Sequence, residues 1–180
     1  GAVLNITNSV IKGNVAGNGG GIHNLGTVEI REKSKITNNT AGDVYGSPSR
    51  GGGVFTAGTT SISDSKITGN RAIGAEGLRG FYTYAPASGQ DAIGGGIFNA
   101  SGGVASIVAS KISGNKAIGG KGGQGITGET GPDANYESRR GGPGGAGWGA
   151  SSWSSASSAS GTTRTSPPRR CCIRRTRTAS

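Results

Sequence analysis

The stretch at residues 94–117, GGGIFNASGGVASIVASKISGNKA, decides the fold, because it recurs with variations at 19–41 and 51–72. Its second half alone appears at 4–16. The copies align on Asn14, Asn39, Asn70 and Asn115, each preceded three residues earlier by an isoleucine (Ile11, Ile36, Ile67, Ile112). An alanine follows two residues after each asparagine: Ala16, Ala41, Ala72 and Ala117. Five residues before each asparagine stands a serine, and upstream lie Ile6, Ile30, Ile62 and Ile107. Three Gly triplets, each followed by Ile22, Val54 or Ile97, open the complete copies. A unit repeated at about 20 to 50 residues is the mark of a solenoid.

The spacing inside the unit identifies which solenoid. Leu4-x-Ile6 and Val28-x-Ile30 alternate with the period of a half-buried strand. From Ile6 to Ile11, Ile62 to Ile67 and Ile107 to Ile112 the step is five. On one straight strand an odd step would put the two isoleucines on opposite faces. Both point inward only if the chain turns a corner between them, near Asn8-Ser9, Asp64-Ser65 and Ala109-Ser110. About three short strands per unit follow: one after the Gly triplet and one around each isoleucine. Stacked in register they form a parallel β-helix, with equivalent residues about 4.8 Å apart. Isoleucine ladders then fill the core. Asn14, Asn39, Asn70 and Asn115 form a structural ladder of side-chain hydrogen bonds, and the Gly triplets permit tight or positive-φ bends. No apolar stripe recurs at helical spacing.

Composition alone would suggest otherwise. Val, Ile, Leu and Phe make only 29 of 180 residues, Gly makes 38, and the net charge is +10. That combination is usual for disordered chains. Yet Ile outnumbers Leu 15 to 3, and 13 of the Ile lie in the first 118 residues, mostly at repeat positions. Residues 1–118 are therefore expected to be the β-helix, of about three and a half coils. Segments of unequal length join each Asn-x-Ala to the next Gly triplet, and all should emerge at one corner. Residues 119–147 read as a Gly-rich loop or linker; from 119 to 133 a Gly falls at every third position, as in collagen. Residues 141–145 resemble a decayed start of the next repeat. Residues 148–180 are a Ser- and Arg-rich low-complexity basic tail, expected to be disordered or out of frame. From residue 138 onward there are eight Arg and no acidic residue, so most of the excess charge belongs there. With no Met and with Gly1 inside a repeat, the expectation is a segment of a longer array. No apolar run is long enough for a transmembrane helix. Cys171 and Cys172 are adjacent and support neither a disulfide framework nor a metal site.

Few residues point to chemistry. His23 aligns with Phe55 and Phe98 and reads as a stacking ring. The nine acidic residues occupy no ladder position, so paired carboxylates for sugar cleavage are not indicated. No cofactor motif is present. Lys35, Lys66 and Lys111 align between the ladder serine and isoleucine and form an outward row. That row is either a charged face that discourages aggregation or a basic strip for acidic polysaccharide or lipid headgroups. Nucleic acid is not an expected partner, because no aromatics interleave with the lysines. Phe81, Tyr82 and Tyr84 sit in the longest linker, as a candidate ligand-contact loop for sugars or partner proteins or as a flap over the solenoid.

The alternation of GGG-I/V at 19–22, 51–54 and 94–97 with I-x-[GN]-N at 11–14, 36–39, 67–70 and 112–115 resembles polymorphic outer-membrane protein repeats. It is similar more widely to bacterial right-handed parallel β-helix surface proteins. In the narrower family the second motif carries Phe where this chain has Ile. The resemblance implies a right-handed coil and an extracellular or outer-membrane location. It also implies a structural or adhesive role like that of an autotransporter passenger or adhesin, without catalytic residues. Expected partners are carbohydrate, a host or cell-surface protein, and further β-helix repeats of the same parent chain. The alternatives are a polysaccharide lyase or hydrolase on the same scaffold and a remnant without function.

Overall fold

The computed structural model describes residues 3–42, 46–79, 86–124 and 144–149, and the backbone of 152–154. The described residues form no helix; their strands are all parallel and stack into five sheets. A long-strand sheet joins Val3–Thr7, Thr27–Arg31, Thr59–Ser63 and Val104–Val108. A lysine sheet joins Val10–Lys12, Lys35–Thr37, Lys66–Thr68 and Lys111–Ser113. An alanine sheet joins Val15–Ala16, Thr40–Gly42, Arg71–Ile73 and Lys116–Ile118. A short sheet joins Ser49–Arg50, Ala92–Ile93 and Gly147–Trp148. An aromatic sheet joins Ile22–Asn24, Val54–Thr56, Ile97–Asn99 and Ser152–Ser154. Each full unit therefore holds five strands, not three. The two added strands are only two or three residues long, too short to show an alternation in the sequence.

Register is the same in every rung. Ile6, Ile30, Ile62 and Ile107 pair in sequence, as do Ile11, Ile36, Ile67 and Ile112. All of these except the exposed Ile107, together with Ile22, Val28, Val54 and Ile97, make one core, whose middle members are fully buried. Burial of each such side chain contributes about 1.5–3 kcal/mol. A second, narrower core is lined by Ala41, Ala72 and Ala92.

Between the two cores runs the asparagine column. The Oδ1 of Asn39 accepts the Asn14 N–H at 3.0 Å and its Nδ2 at 3.1 Å. The Oδ1 of Asn70 does the same for Asn39, and that of Asn115 for Asn70. Each of these amides also donates its Nδ2 to the isoleucine carbonyl of the unit before: Asn39 to Ile11, Asn70 to Ile36, Asn115 to Ile67. The bonds run from rung to rung.

Corners recur at fixed positions. Ahead of the column φ is positive at Gly13, Asn38, Gly69 and Gly114, and ahead of the aromatic sheet at Gly19, Gly51, Gly94 and Gly149. The second glycine of a triplet has another reason: a Cβ on Gly52 would collide with the Gly95 and Arg71 carbonyls. The long linkers all leave between the alanine and short sheets. One correction concerns the boundary at 147/148. Ala92 and Ile93 pair with Gly147 and Trp148, and Ile97–Asn99 pairs with Ser152–Ser154, so the ladders continue past it. Gly149, not residues 141–145, takes the place of Gly94 in the next unit, and Ser152 stands in an isoleucine position. Residues 155–180, the bulk of the tail, lie outside the described residues. No helix among the described residues is long and apolar enough to cross a membrane; β-barrels are a separate matter.

Candidate functional site

The corner between the long-strand and lysine sheets builds a groove. Its turning residues are Asn8, Asp64 and Ala109, at φ 43, 42 and 47°. In the second unit the step from Ile30 to Ile36 is one residue longer, and Glu32 and Lys33 both adopt positive φ, at 56 and 61°. The extra residue is absorbed at the bend, so Lys35 stays in register with Lys66. Serines lock the turn: Ser34 Oγ accepts the Ser9 N–H at 3.2 Å, and Ser110 Oγ accepts the Ser65 N–H at 3.1 Å. The next residue in each unit then points outward.

Those residues are Val10, Lys35, Lys66 and Lys111, paired in that order. They line an open groove of about 540 Å³ with Asn8, Ser9, Lys33, Asp64, Ser65 and Ala109. Four ammonium groups share it with one carboxylate. All four lysines and Asp64 are exposed. Among the described residues the ion pairs are Arg31 with Glu29 and Lys121 with Glu76, so no groove lysine has a described carboxylate within ion-pair distance. Two unit charges about 5 Å apart in water repel by about 0.8 kcal/mol. Flexible lysines relieve this by splaying, and a bound polyanion relieves it by neutralisation. The arrangement can hold a chain of negative charges along the solenoid axis.

A second ladder lies on the aromatic sheet. The His23 and Phe55 ring centroids are 4.6 Å apart and tilted by 59°; Phe55 and Phe98 are 5.4 Å apart and stacked. The Arg50 guanidinium lies 5.8 Å from the centre of the Phe98 ring. His23 thus stacks as the sequence suggested. Groups of three or more His, Cys, Asp or Glu able to hold a metal are absent among the described residues. Phe81, Tyr82 and Tyr84 lie outside the described residues.

Two features escaped sequence reasoning. Asn24, Thr56 and Thr60 form a buried polar cluster, with Asn24 Nδ2 donating to Thr56 Oγ1 at 3.1 Å and to Thr60 Oγ1 at 2.9 Å. The alternation I-x-N after the first Gly triplet was the only signal. In addition, 74–78, 87–90 and 119–123 are tied together by backbone hydrogen bonds, among them Gly77 N to Lys121 O, Gln90 N to Ala75 O, and Gly123 N to Ala87 O. A Cβ on Gly74, Gly77, Gly120 or Gly123 would strike a neighbouring backbone. Glycine at every third position facing a crowded axis is the logic of collagen packing, here used by three segments of one chain. Comparison with protein-family models, with curated proteins and with solved structures found no match.

Proposed function

We propose that this chain is a structural and adhesive segment of a secreted or surface-displayed bacterial protein. In this reading it is a right-handed parallel β-helix of about three and a half coils, whose lysine groove holds an acidic polysaccharide. The in-register column of Lys35, Lys66 and Lys111, with Lys33 at its side, carries the reading. A regular row of like charges repels itself and is stabilised by a regular polyanion lying along it. Affinity of this kind is electrostatic and falls with salt within a Debye length of about 10 Å at 0.1 M.

Calorimetric titration with polygalacturonate, a sulfated glycosaminoglycan and neutral dextran tests it. The acidic polymers should bind, the neutral one should not, and the combined Lys35→Ala, Lys66→Ala and Lys111→Ala variant should bind at least about tenfold more weakly. Unchanged binding by that variant would remove the groove from the function. New reducing ends or unsaturated products would replace adhesion with the lyase or hydrolase reading.

A further inference from the structure

We infer that the groove selects a glycan in which acidic and neutral sugars alternate, an inference that rests on the polysaccharide reading above and adds to it a charge spacing. Each rung gives the groove two side chains. One sits at the corner with positive φ, and the other opens the lysine-sheet strand two residues later. The first rung offers Asn8 and Val10, and the second Lys33 and Lys35. The third offers Asp64 and Lys66, and the fourth Ala109 and Lys111. All of these side chains are exposed. The formal charge per rung is therefore 0, +2, 0 and +1 along the axis. Rungs lie about 4.8 Å apart, so the cationic rungs are separated by about 9.6 Å.

Neighbouring charges leave this pattern intact. Glu29 is paired with Arg31. Glu32, the extra residue of the second bend, and Lys12, two residues beyond Val10, are not among the residues lining the groove. Asp64 is the residue that creates the alternation, and the fold does not require its charge. Its corner needs a residue that tolerates φ 42°, and Asn8 meets the same need in the first unit at φ 43°. The carboxylate is in no ion pair among the described residues. What it adds over an amide is one negative charge in the floor of a cationic groove.

Glycan geometry turns this into selectivity. A pyranose linked through opposite ring positions advances an extended chain by about one rung. A homopolymer of uronic acid then sets a carboxylate on every rung, including the third, where Asp64 repels it. An alternating chain sets its carboxylates on the second and fourth rungs, beside lysines that no acid opposes. Its neutral sugars fall on the first and third rungs. There their hydroxyl and amide hydrogens meet the side-chain oxygens of Asn8 and Asp64, which accept hydrogen bonds. Val10, 57% exposed, offers the first of these sugars an apolar contact for its C–H face.

Calorimetric titration of the full chain at low salt with two tetrasaccharides tests this. One alternates glucuronate with N-acetylglucosamine; the other is tetragalacturonate, which carries twice as many carboxylates. Charge counting alone ranks tetragalacturonate well ahead, whereas the alternating ligand is expected to bind at least as tightly. Asp64→Asn should tighten tetragalacturonate about fourfold and move the alternating ligand by less than about twofold. Asp64→Ala, which copies Ala109 of the fourth unit, repeats the measurement without an amide, and circular dichroism checks the fold of both variants. Tighter binding of tetragalacturonate to the unaltered chain, or equal gains for both ligands once Asp64 is removed, would overturn the alternation and leave the groove reading standing. Binding of neither ligand would remove the groove reading itself, and the inference with it.

Discussion

Replacing Asn70 by alanine tests the column on which the stacking rests. The side chain is fully buried. Its Oδ1 accepts the Asn39 N–H and Nδ2 at 3.0 Å each, and its Nδ2 donates to the Ile36 carbonyl and to Asn115 Oδ1 at 3.0 Å. Alanine would strip the Asn39 N–H and one Asn39 amide hydrogen of their acceptor, and the Ile36 carbonyl of a donor. Each buried group so orphaned costs about 1–3 kcal/mol, which places the total for the three at about 3–9 kcal/mol. Single domains hold about 5–15 kcal/mol in all. With a urea slope of about 2 kcal/mol/M, the midpoint should fall by at least about 1.5 M. Asn14→Ala is the control. Asn14 is exposed at the edge, and losing its side chain leaves Asn39 Oδ1 still bound to the Asn14 N–H, so the cost should stay near 1 kcal/mol. Lys66→Ala, on the outer face, should change stability by less than about 0.5 kcal/mol. Equilibrium urea unfolding followed by far-ultraviolet circular dichroism reads all three. Equal midpoints for Asn70→Ala and Asn14→Ala would refute the column as a stabilising element.

Other consequences concern backbone and core. Ala109 holds φ 47° at a corner where the first and third units carry Asn8 and Asp64, residues that tolerate this region. Ala109→Asn should therefore stabilise by about 1 kcal/mol in the same assay, and a loss would show that the corner is not strained. Gly77→Ala would push against the Ala87 carbonyl and Gly123 nitrogen. It should abolish hydrogen-exchange protection at Gly77 and Gly123 while the Ile67 amide stays protected; loss at both would make the glycine segments part of the core. Ile67→Ala should cost about 2–5 kcal/mol by thermal or urea unfolding, as a cavity in a closed ladder does.

The isoleucine and asparagine columns were legible because one physical demand, like residue over like, repeats in the sequence at matched positions. The odd step from Ile62 to Ile67 even located the bend, where Asp64 adopts positive φ. The even step from Ile30 to Ile36 carried no such clue. Its extra residue is accommodated by two left-handed residues, a solution that only the coordinates reveal. Ser152 concealed the final rung, because a pattern keyed to isoleucine does not see a serine in its place. Glycines at 119, 122 and 125 were visible as a triplet pattern, but not that Gly120 and Gly123 are the ones that meet the Ala75 and Leu78 carbonyls, nor that 74–78 and 87–90 supply the other two segments, since partner choice depends on the path of the linkers. At the groove, the lysine row could be read directly. Its walls were legible only as corners: Asn8, Asp64 and Ala109 share no residue type that would mark them as lining a groove.

That contrast separates what the scaffold constrains from what it leaves free. Along the inward column at Ile11, Ile36, Ile67 and Ile112 a change of one methylene alters packing in the rungs above and below. One residue earlier in the same strands, the outward column reads Val10, Lys35, Lys66 and Lys111, and the ladder tolerates the change from apolar to charged. The same holds for Val15, Thr40, Arg71 and Lys116 in the neighbouring sheet. Outward columns can therefore change character rung by rung at little cost to the fold. The Glu29–Arg31 pair on the long-strand sheet shows that acidic residues are accepted on such a surface. The four lysines nevertheless converge on a groove with a single carboxylate. If solubility alone governed these positions, alternating signs along the column would serve better, because they remove the repulsion between rungs. Lys66→Glu should accordingly raise stability slightly while reducing binding of acidic polymer. A variant that loses stability and keeps its binding would show that the column serves the fold and not a ligand.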